Sequence, residues 1–538
     1  MNRNCYALLF AVFFLLSGSA FGQNAIPQIS NLTYVADTAN HRVDLSFDLA
    51  DNEGDPLEVW VQVSADSGRT WRVSIDSLSG DFGFPITPGT GKQLSWHYKP
   101  ATLANFSPSG ITGYSLRLVA DDRQPIDILE VTNLVDSARV HQNLLAIEGV
   151  KNRATALPYL EETKDSLEAM MDRYDLHPYR HGDAYGNYVC ENIIGRRSGT
   201  RNDTATWQIS GHFDTVNNSP GGDDNASAVV CVQEAIRVLS NFQTKESLRF
   251  FEFDLEEDGL IGSYQYILNG VPDWEEPKGL LNMDGIGYYS DAVNSQVMPA
   301  GFNILFPTAY NSVAADSFRG NFITSVVNTN SAWIDTTFVG VAATVAPSLK
   351  IQTLEVAGNG LLTLDLRRSD HAPFWDGGYP AIFFTDGANF RNPGYHTPND
   401  LVSAMDMDFY MKNVKAIIGT LARLAQVEHS TLEAVGPFDI NVPVGNQQAK
   451  VVKAQPALKV YPNPNAGQMK LGFDLPEAGE ISLELHDHHG KLIAVIAKGW
   501  REAGHHEMSW ECNLPSDHYA MVLKAGEGRA FYPLVIQK

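Results

Sequence analysis

The run Leu248-Arg249-Phe250-Phe251-Glu252-Phe253-Asp254-Leu255 passes without a break into Glu256-Glu257-Asp258-Gly259. A strand this apolar has to be covered on most of both sides, and a sheet achieves that when helices pack on its two faces. Ala381-Ile382-Phe383-Phe384 has the same character. Between about residues 125 and 430 such strands alternate with helical patterns, which predicts an α/β region with a mixed, largely parallel sheet and helices on both faces. Val229, Val232, Ile236 and Leu239 recur at helical spacing over residues 225–242, predicting an amphipathic helix just behind two aspartates. A last helix is expected from about Met407 to Val427, with Ser403 or Asp406 as its cap.

The flanks read differently. Over residues 23–124, short alternating runs such as Val43 to Phe47, Val59 to Val63 and Tyr114 to Leu118 lie between Gly, Pro, Asp and Ser clusters, the pattern of an immunoglobulin- or fibronectin-like β-sandwich. Within it, Asp51-Asn52-Glu53-Gly54-Asp55 offers oxygens to Ca²⁺ but lacks the remaining ligands of a known loop, and acidic glycine turns are mostly solvated hairpin tips. Residues 431–456, with Gly436, Pro437, Pro443 and Gly445, read as a linker, and residues 457–538 as a second, smaller β-sandwich.

The chain has 39 Lys and Arg against 63 Asp and Glu, a formal charge of −24, which repels phosphate backbones and argues against nucleic-acid binding. Its one long apolar run, Cys5 to Leu16, is too short to cross a bilayer and ends in Ala20-Phe21-Gly22, so residues 1–22 read as a signal peptide cleaved before Gln23. No later segment reads as transmembrane, and the expected location is the cell surface or the medium. Cys190, Cys231 and Cys512 then remain, too few for a disulfide framework and enough for one bridge at most.

Five segments of the α/β region carry potential metal ligands where strands or turns end. Ile209-Ser210-Gly211-His212-Phe213-Asp214 sets an imidazole two residues from a carboxylate. Pro220-Gly221-Gly222-Asp223-Asp224-Asn225 puts adjacent carboxylates in a glycine turn at a helix start, where one Asp is explained by capping and the second is more than capping needs. Glu256-Glu257-Asp258 crowds like charges at the end of a buried strand, which is unfavourable unless a cation or a proton intervenes. Asn282-Met283-Asp284-Gly285 repeats that device, and Gly394-Tyr395-His396-Thr397 adds a second imidazole. Each has an ordinary reading by itself as a cap, a turn or polar surface. Together, two His and three acids can serve two divalent ions with mixed nitrogen and oxygen ligands, and a fourth acid remains over as a base.

In their order along the chain, His212-Phe213-Asp214, Gly222-Asp223-Asp224-Asn225, Glu256-Glu257-Asp258-Gly259, Asn282-Met283-Asp284 and Tyr395-His396-Thr397 resemble the co-catalytic dizinc aminopeptidases of metallopeptidase family 28, as does Ser369-Asp370-His371-Ala372-Pro373-Phe374. The resemblance covers about 300 residues and implies two Zn²⁺ per chain. It implies Asp223 as the carboxylate shared between the ions, with His212 and Asp284 completing one ligand set and Glu257 and His396 the other. Glu256 is then the general base for a metal-bridging water, and Asp214 the acceptor of the free ring N–H of His212. Tyr395 resembles an oxyanion-binding Tyr of some members, with a packing Tyr the alternative, and His371 reads as structural. The same resemblance implies a cis Asp223-Asp224 peptide.

The expected function is a secreted zinc aminopeptidase acting on peptides. The alternatives are a glutaminyl cyclase, which resembles this fold but uses one zinc and typically carries Trp where this chain has Tyr395, a carboxypeptidase with the same metal centre, and a non-catalytic binding protein. No motif marks the substrate pocket, whose walls are expected from residues 292–363. Val460-Tyr461-Pro462-Asn463-Pro464-Asn465-Ala466-Gly467 resembles the head of the C-terminal sorting domain of type IX secretion, which implies that secretion machinery as a partner. His486-Asp487-His488-His489 within it reads as a polar hairpin tip.

Overall fold

The computed structural model describes residues 24–104, 106, 113–438, 440, 456–462, 465–487, 492–526 and 528–536. The expected signal peptide, most of the expected linker, and His488 and His489 lie outside these residues.

At the centre is an eight-stranded mixed sheet. Its order is Ile351–Val356, Ile323–Asn328, Ala381–Thr385, Glu276–Met283, Asn202–His212, Glu246–Phe253, Asn192–Arg197 and Tyr179–His181. The strand Asn202–His212 pairs in parallel with both of its neighbours, and Glu276–Met283 continues in parallel to Ala381–Thr385. The antiparallel pairs lie towards the two sides of the sheet. Four neighbouring strands therefore run the same way and end at one edge, where open α/β sheets place their ligands.

Alternation along each strand feeds two apolar layers. Leu248, Phe250, Ile209, Leu281 and Ile382 face one of them, beneath the helices Ala226–Leu239, Ala332–Val345 and Met407–Leu424. Phe251, Phe253, Leu280, Val326 and Phe383 face the other, under the shorter helices Phe302–Leu305 and His371–Asp376. The carboxylate of Asp406 accepts from the Phe409 amide and caps the long helix that follows. The helix Ala226–Leu239 differs from the amphipathic expectation: it is buried nearly all round, because the helices Ser137–Ile147 and Met407–Leu424 cover the side turned away from the sheet.

The N-terminal region holds two four-stranded sheets, one of Gln28–Asp37, Arg42–Ala50, Gly89–His97 and Ser77–Gly80. The other contains Tyr114–Asp121, Leu57–Ser64 and Gly83–Ile86, and its outer strand is Ser430–Phe438. That strand pairs Ser430 with Asp121 and Phe438 with Tyr114, so part of the segment expected as linker belongs to this sheet. Its sequence hides the role because Gly436 and Pro437 break the alternation where the register shifts. Phe438 joins Val43, Phe47, Val61 and Leu118 in one apolar cluster between the sheets.

The opposite face of the second sheet rests on the turn between two central strands. Trp60 Nε1 donates to Thr200 O at 2.7 Å, while Gln62 Nε2 and Arg117 Nη2 donate to Gly199 O at 3.1 and 2.8 Å. At the other end of the chain a three-stranded and a four-stranded sheet share a cluster that includes Leu458, Leu471, Phe473, Leu483, Met521 and Leu534. Cys190 and Cys231 are buried and free. No helix among the described residues is long and apolar enough to cross a membrane.

Candidate metal centre

The carboxyl ends of the central strands deliver the candidate ligands. His212 is the last residue of its strand and fully buried, Glu256 and Glu257 follow the next strand, and Asp284 follows a third. His396 comes from the distant turn behind the last central strand, at φ 57°, and Leu255, just ahead of Glu256, has the same φ. Left-handed backbone at residues other than glycine is uncommon and gathers at sites where surrounding structure holds it in place.

Two groups of ligand atoms converge. His212, Glu256 and Asp284 form one, and Asp224, Glu257 and His396 the other, with the ligand atoms of each group all within 4.8 Å of one another. Asp224 reaches both: its Oδ1 is 3.3 Å from His212 Nε2 and its Oδ2 3.1 Å from His396 Nε2. His396 Nε2 is also 3.1 Å from Glu257 Oε2. Glu256 Oε2 and Asp284 Oδ2 each lie 3.8 Å from His212 Nε2.

Asp224, and not Asp223, therefore occupies the shared position. Asp223 turns the other way, where its Oδ1 accepts from Gly287 N at 2.8 Å and its Oδ2 from Asn392 Nδ2 at 3.3 Å. Neighbouring side chains leave an irregular turn on opposite sides, and here the inner side belongs to the second Asp. The cis peptide likewise joins Asp224 to Asn225, one bond later than the resemblance implies.

The turn itself is pinned from several directions. Asp400 accepts from the amides of Asp223 and Asp224 at 3.1 and 3.2 Å. Gly222 packs so close to Leu401 that a Cβ there would lie 2.4 Å from its carbonyl carbon, and Gly221 sits at φ +65°; the two glycines are required by approach and by backbone angle. Asn225 caps the helix that follows through Ala228 N and donates from Nδ2 to Met283 O at 3.0 Å, tying the turn to the strand that delivers Asp284.

Asp214 is placed beside His212, and its carboxylate also holds the neighbouring turn. Its two oxygens accept from the amides of Glu256 and Glu257 at 3.1 and 3.2 Å, holding the turn that presents both glutamates. The bonded partner of His212 Nδ1 is the main-chain oxygen of Asp214 at 3.2 Å, with the carboxylate 3.5 Å away. Tyr395 stacks on His396 with ring centres 3.8 Å apart, and its hydroxyl accepts from Arg368 Nη2 at 3.0 Å. His371 bonds Leu366 O through Nε2 at 2.9 Å and stacks on Phe383, and burial holds its pKa down to about 3, consistent with a structural role.

The electrostatics of this cluster call for cations. Burial, with Asp284 and Glu257 beside it, pushes Glu256 well above the usual carboxylate range, and burial plus Asp224 pushes Glu257 up to about 7. Burial alone would lower His396, but its bonds to Asp224 and Glu257 hold it up to about 10. Burial, reinforced by Asp223 and Asp224, raises Asp400 to about 8. Acids so crowded hold protons unless positive charge takes their place. His212 Nε2, buried and aimed into the cluster, has no hydrogen-bond partner, as a nitrogen that ligates an ion would. Nitrogen and carboxylate oxygen together suit Zn²⁺.

Beside the acids lies an apolar pocket, sharing Asp284 and Tyr395 as its rim. Phe302, Phe322, Leu354, Leu366 and Phe383 line it; half of its wall falls in the expected stretch 292–363, and the other half comes from Asp284 and from residues 365–395. Asp400, Asn392 and Arg368 take part in the site without having been singled out from sequence.

Residues 192–421 match the model of peptidase family M28. All the candidate ligands fall within that segment. Leucine aminopeptidase 1 of Trichophyton equinum is 26% identical over 258 residues, covering 45% of this chain and 59% of that protein. The enzyme of the same name from Trichophyton rubrum is 28% identical over 236 residues, covering 40% and 54%. The match thus spans somewhat over half the length of these curated relatives. Among solved structures, LapB from Legionella pneumophila is similar with a TM-score of 0.43 and 17% identity, over 56% of this chain and 77% of that one.

Proposed function

We propose that this chain is a zinc-dependent aminopeptidase that removes N-terminal residues from peptides, with two Zn²⁺ per chain. The observation that carries the reading is the position of Asp224, one carboxylate oxygen beside each histidine of the cluster. His212 and Asp284 with one oxygen of Asp224 would hold one ion, and Glu257 and His396 with the other oxygen would hold the second. Ions bound there supply Lewis acidity, polarising a scissile carbonyl and acidifying a water.

The protein's own groups do the rest. Glu256 is the carboxylate left over once each ion has three protein ligands, and it takes the proton from the attacking water and passes it to the leaving amine. Asp214 fixes Glu256 and Glu257 through their amides, Asp400 fixes the turn that carries Asp224, and the stack on His396 directs Tyr395 towards the reacting carbonyl. The apolar pocket next to Asp284 receives the first side chain of the substrate, in keeping with the leucine aminopeptidases to which the segment is similar.

A panel of aminoacyl amides, free and N-acetylated, tests this with purified protein. Cleavage only of the free amines, abolished by chelation and restored by Zn²⁺, supports the reading. Cleavage of acetylated peptides from the other end would indicate a carboxypeptidase, and cyclisation of N-terminal Gln a glutaminyl cyclase.

For location, residues 1–22 as a signal peptide and residues 457–538 as a type IX sorting domain support export to the cell surface or medium, with the outer sheet pairs acting as β-sandwich domains around the peptidase. Fractionation of the native host decides it: without residues 457–538 the enzyme is expected in the periplasm, and unchanged extracellular delivery would remove the sorting proposal.

A further inference from the structure

Arg368 stands where the metal-holding acids meet the apolar pocket, forming part of the pocket wall together with Asp284, Asp365 and Tyr395. Its guanidinium is spread across two neutral oxygens, Nη1 donating to Asn389 Oδ1 at 2.7 Å and Nη2 to the Tyr395 hydroxyl at 3.0 Å. The segment that carries it is anchored on both sides. Arg367 pairs with Asp376 at 2.6 Å, and the buried Ser369 accepts from Asn282 Nδ2 at 2.8 Å. The guanidinium therefore approaches Tyr395 from a fixed direction.

A phenolic oxygen has one hydrogen to give and two lone pairs to offer. In Tyr395 the stack on His396, 14° from parallel, fixes the plane of the ring, and Arg368 takes up an acceptor position on the oxygen. What remains with directional freedom is the O–H itself, on the rim that Tyr395 shares with Asp284. A cationic donor on the oxygen also polarises the O–H and makes it a stronger donor in turn.

We infer that Arg368 is a positioning residue for Tyr395: by occupying the acceptor side of the phenolic oxygen it keeps the hydroxyl aimed, as a donor, at the carbonyl oxygen of a bound substrate. The inference rests on the peptidase reading above. It assigns Arg368 an effect on turnover that passes through Tyr395, apart from the apolar surface its side chain adds to the pocket wall.

A double-mutant cycle in the full-length zinc-loaded protein tests this, with steady-state rates on a leucyl amide and zinc content and thermal melting followed for every variant. Tyr395→Phe is expected to lower kcat about 10²-fold, the usual cost of losing one donor to a developing oxyanion. Arg368→Met is expected to lower kcat about tenfold with KM within about threefold, and the double variant to be no more than about threefold below Tyr395→Phe alone. Arg368→Lys should recover part of the loss. Asn389→Ala, on the exposed turn that holds the far end of the guanidinium, should lower kcat in the same direction by less, with the melt unchanged. Effects that multiply in the double variant overturn the inference, as does an Arg368→Met protein with raised KM and unchanged kcat, in which the guanidinium would be binding substrate itself. A wild-type protein that cleaves no free-amine substrate overturns the peptidase reading and this inference with it, an outcome distinct from multiplied effects in an active enzyme.

Discussion

The acid cluster and the apolar pocket meet at Asp284 and Tyr395, yet they are built on different terms. In the cluster, His212 ends a central strand, while Asp284, Glu256 and Glu257 stand in the turns that directly follow such strands, and backbone amides donating to Asp214 and Asp400 fix the chain that presents the ligands. In the pocket, the wall is assembled from short helices and connections between Gln296 and Leu366, closed by Phe383 and Phe390. Buried charge demands particular partners at particular distances, whereas an apolar wall demands only volume and shape. The first region therefore leaves motifs in the sequence and the second does not, although both bear on the proposed activity.

If that division is correct, the two regions fail in different ways. Glu256→Gln removes only a proton acceptor from the cluster, so turnover is expected to fall about 10²- to 10⁴-fold with zinc content and fold intact. Rate measurements beside elemental analysis check this, and a Glu256→Gln enzyme at wild-type rate would take the proton-transfer role away from that residue. In the pocket, Ala309→Phe fills space from the helix Pro307–Ala315 without touching a ligand. The specificity constant kcat/KM for a leucyl amide should drop about 10- to 100-fold, in line with the cost of excluding a side chain from a close-fitting pocket, while an alanyl amide changes by less than about threefold. Equal losses on both substrates would show that pocket and cluster are not separable.

The smallest effect is expected outside both regions. Deleting residues 457–538 removes a pair of sheets with its own apolar cluster, and kcat/KM should stay within about twofold. Deleting from residue 430 onward also withdraws the strand that completes the N-terminal sheet resting on Gly199 and Thr200. That protein should melt at a clearly lower temperature than the shorter deletion, and identical melting curves would contradict the role of Ser430–Phe438.

How much of this was legible in the sequence follows from the same physics. The strand Glu246–Phe253 and the helix Met407–Leu424 with its Asp406 cap carry period and capping signals of their own, and both stand where the sequence places them. The ligand-bearing segments were readable because several acids at strand ends make sense only together. The choice between Asp223 and Asp224 was not, since one residue of register in an irregular turn reverses which side chain faces inward, and spacing does not fix that register. Asp400 bonds amides 176 and 177 residues away, and Arg368 bonds a Tyr 27 residues away; both are ordinary residues until the fold brings their partners alongside. The strand Ser430–Phe438 escaped for a related reason: it is the outer strand of a sheet whose other members lie more than 300 residues earlier in the chain, and its glycine and proline are tolerated at such an edge.

In the proposed function Asp224 would serve two zinc ions in common, and the most direct measurement is the zinc content of gently purified protein beside its Asp224→Ala and Asp223→Ala variants. The account predicts close to two zinc ions per wild-type chain, fewer than one in Asp224→Ala, and retention of both in folded Asp223→Ala, whose side chain bonds Gly287 and Asn392 instead of facing the histidines. One zinc ion per wild-type chain that added zinc does not raise, or metal lost from Asp223→Ala and kept by Asp224→Ala, would contradict it.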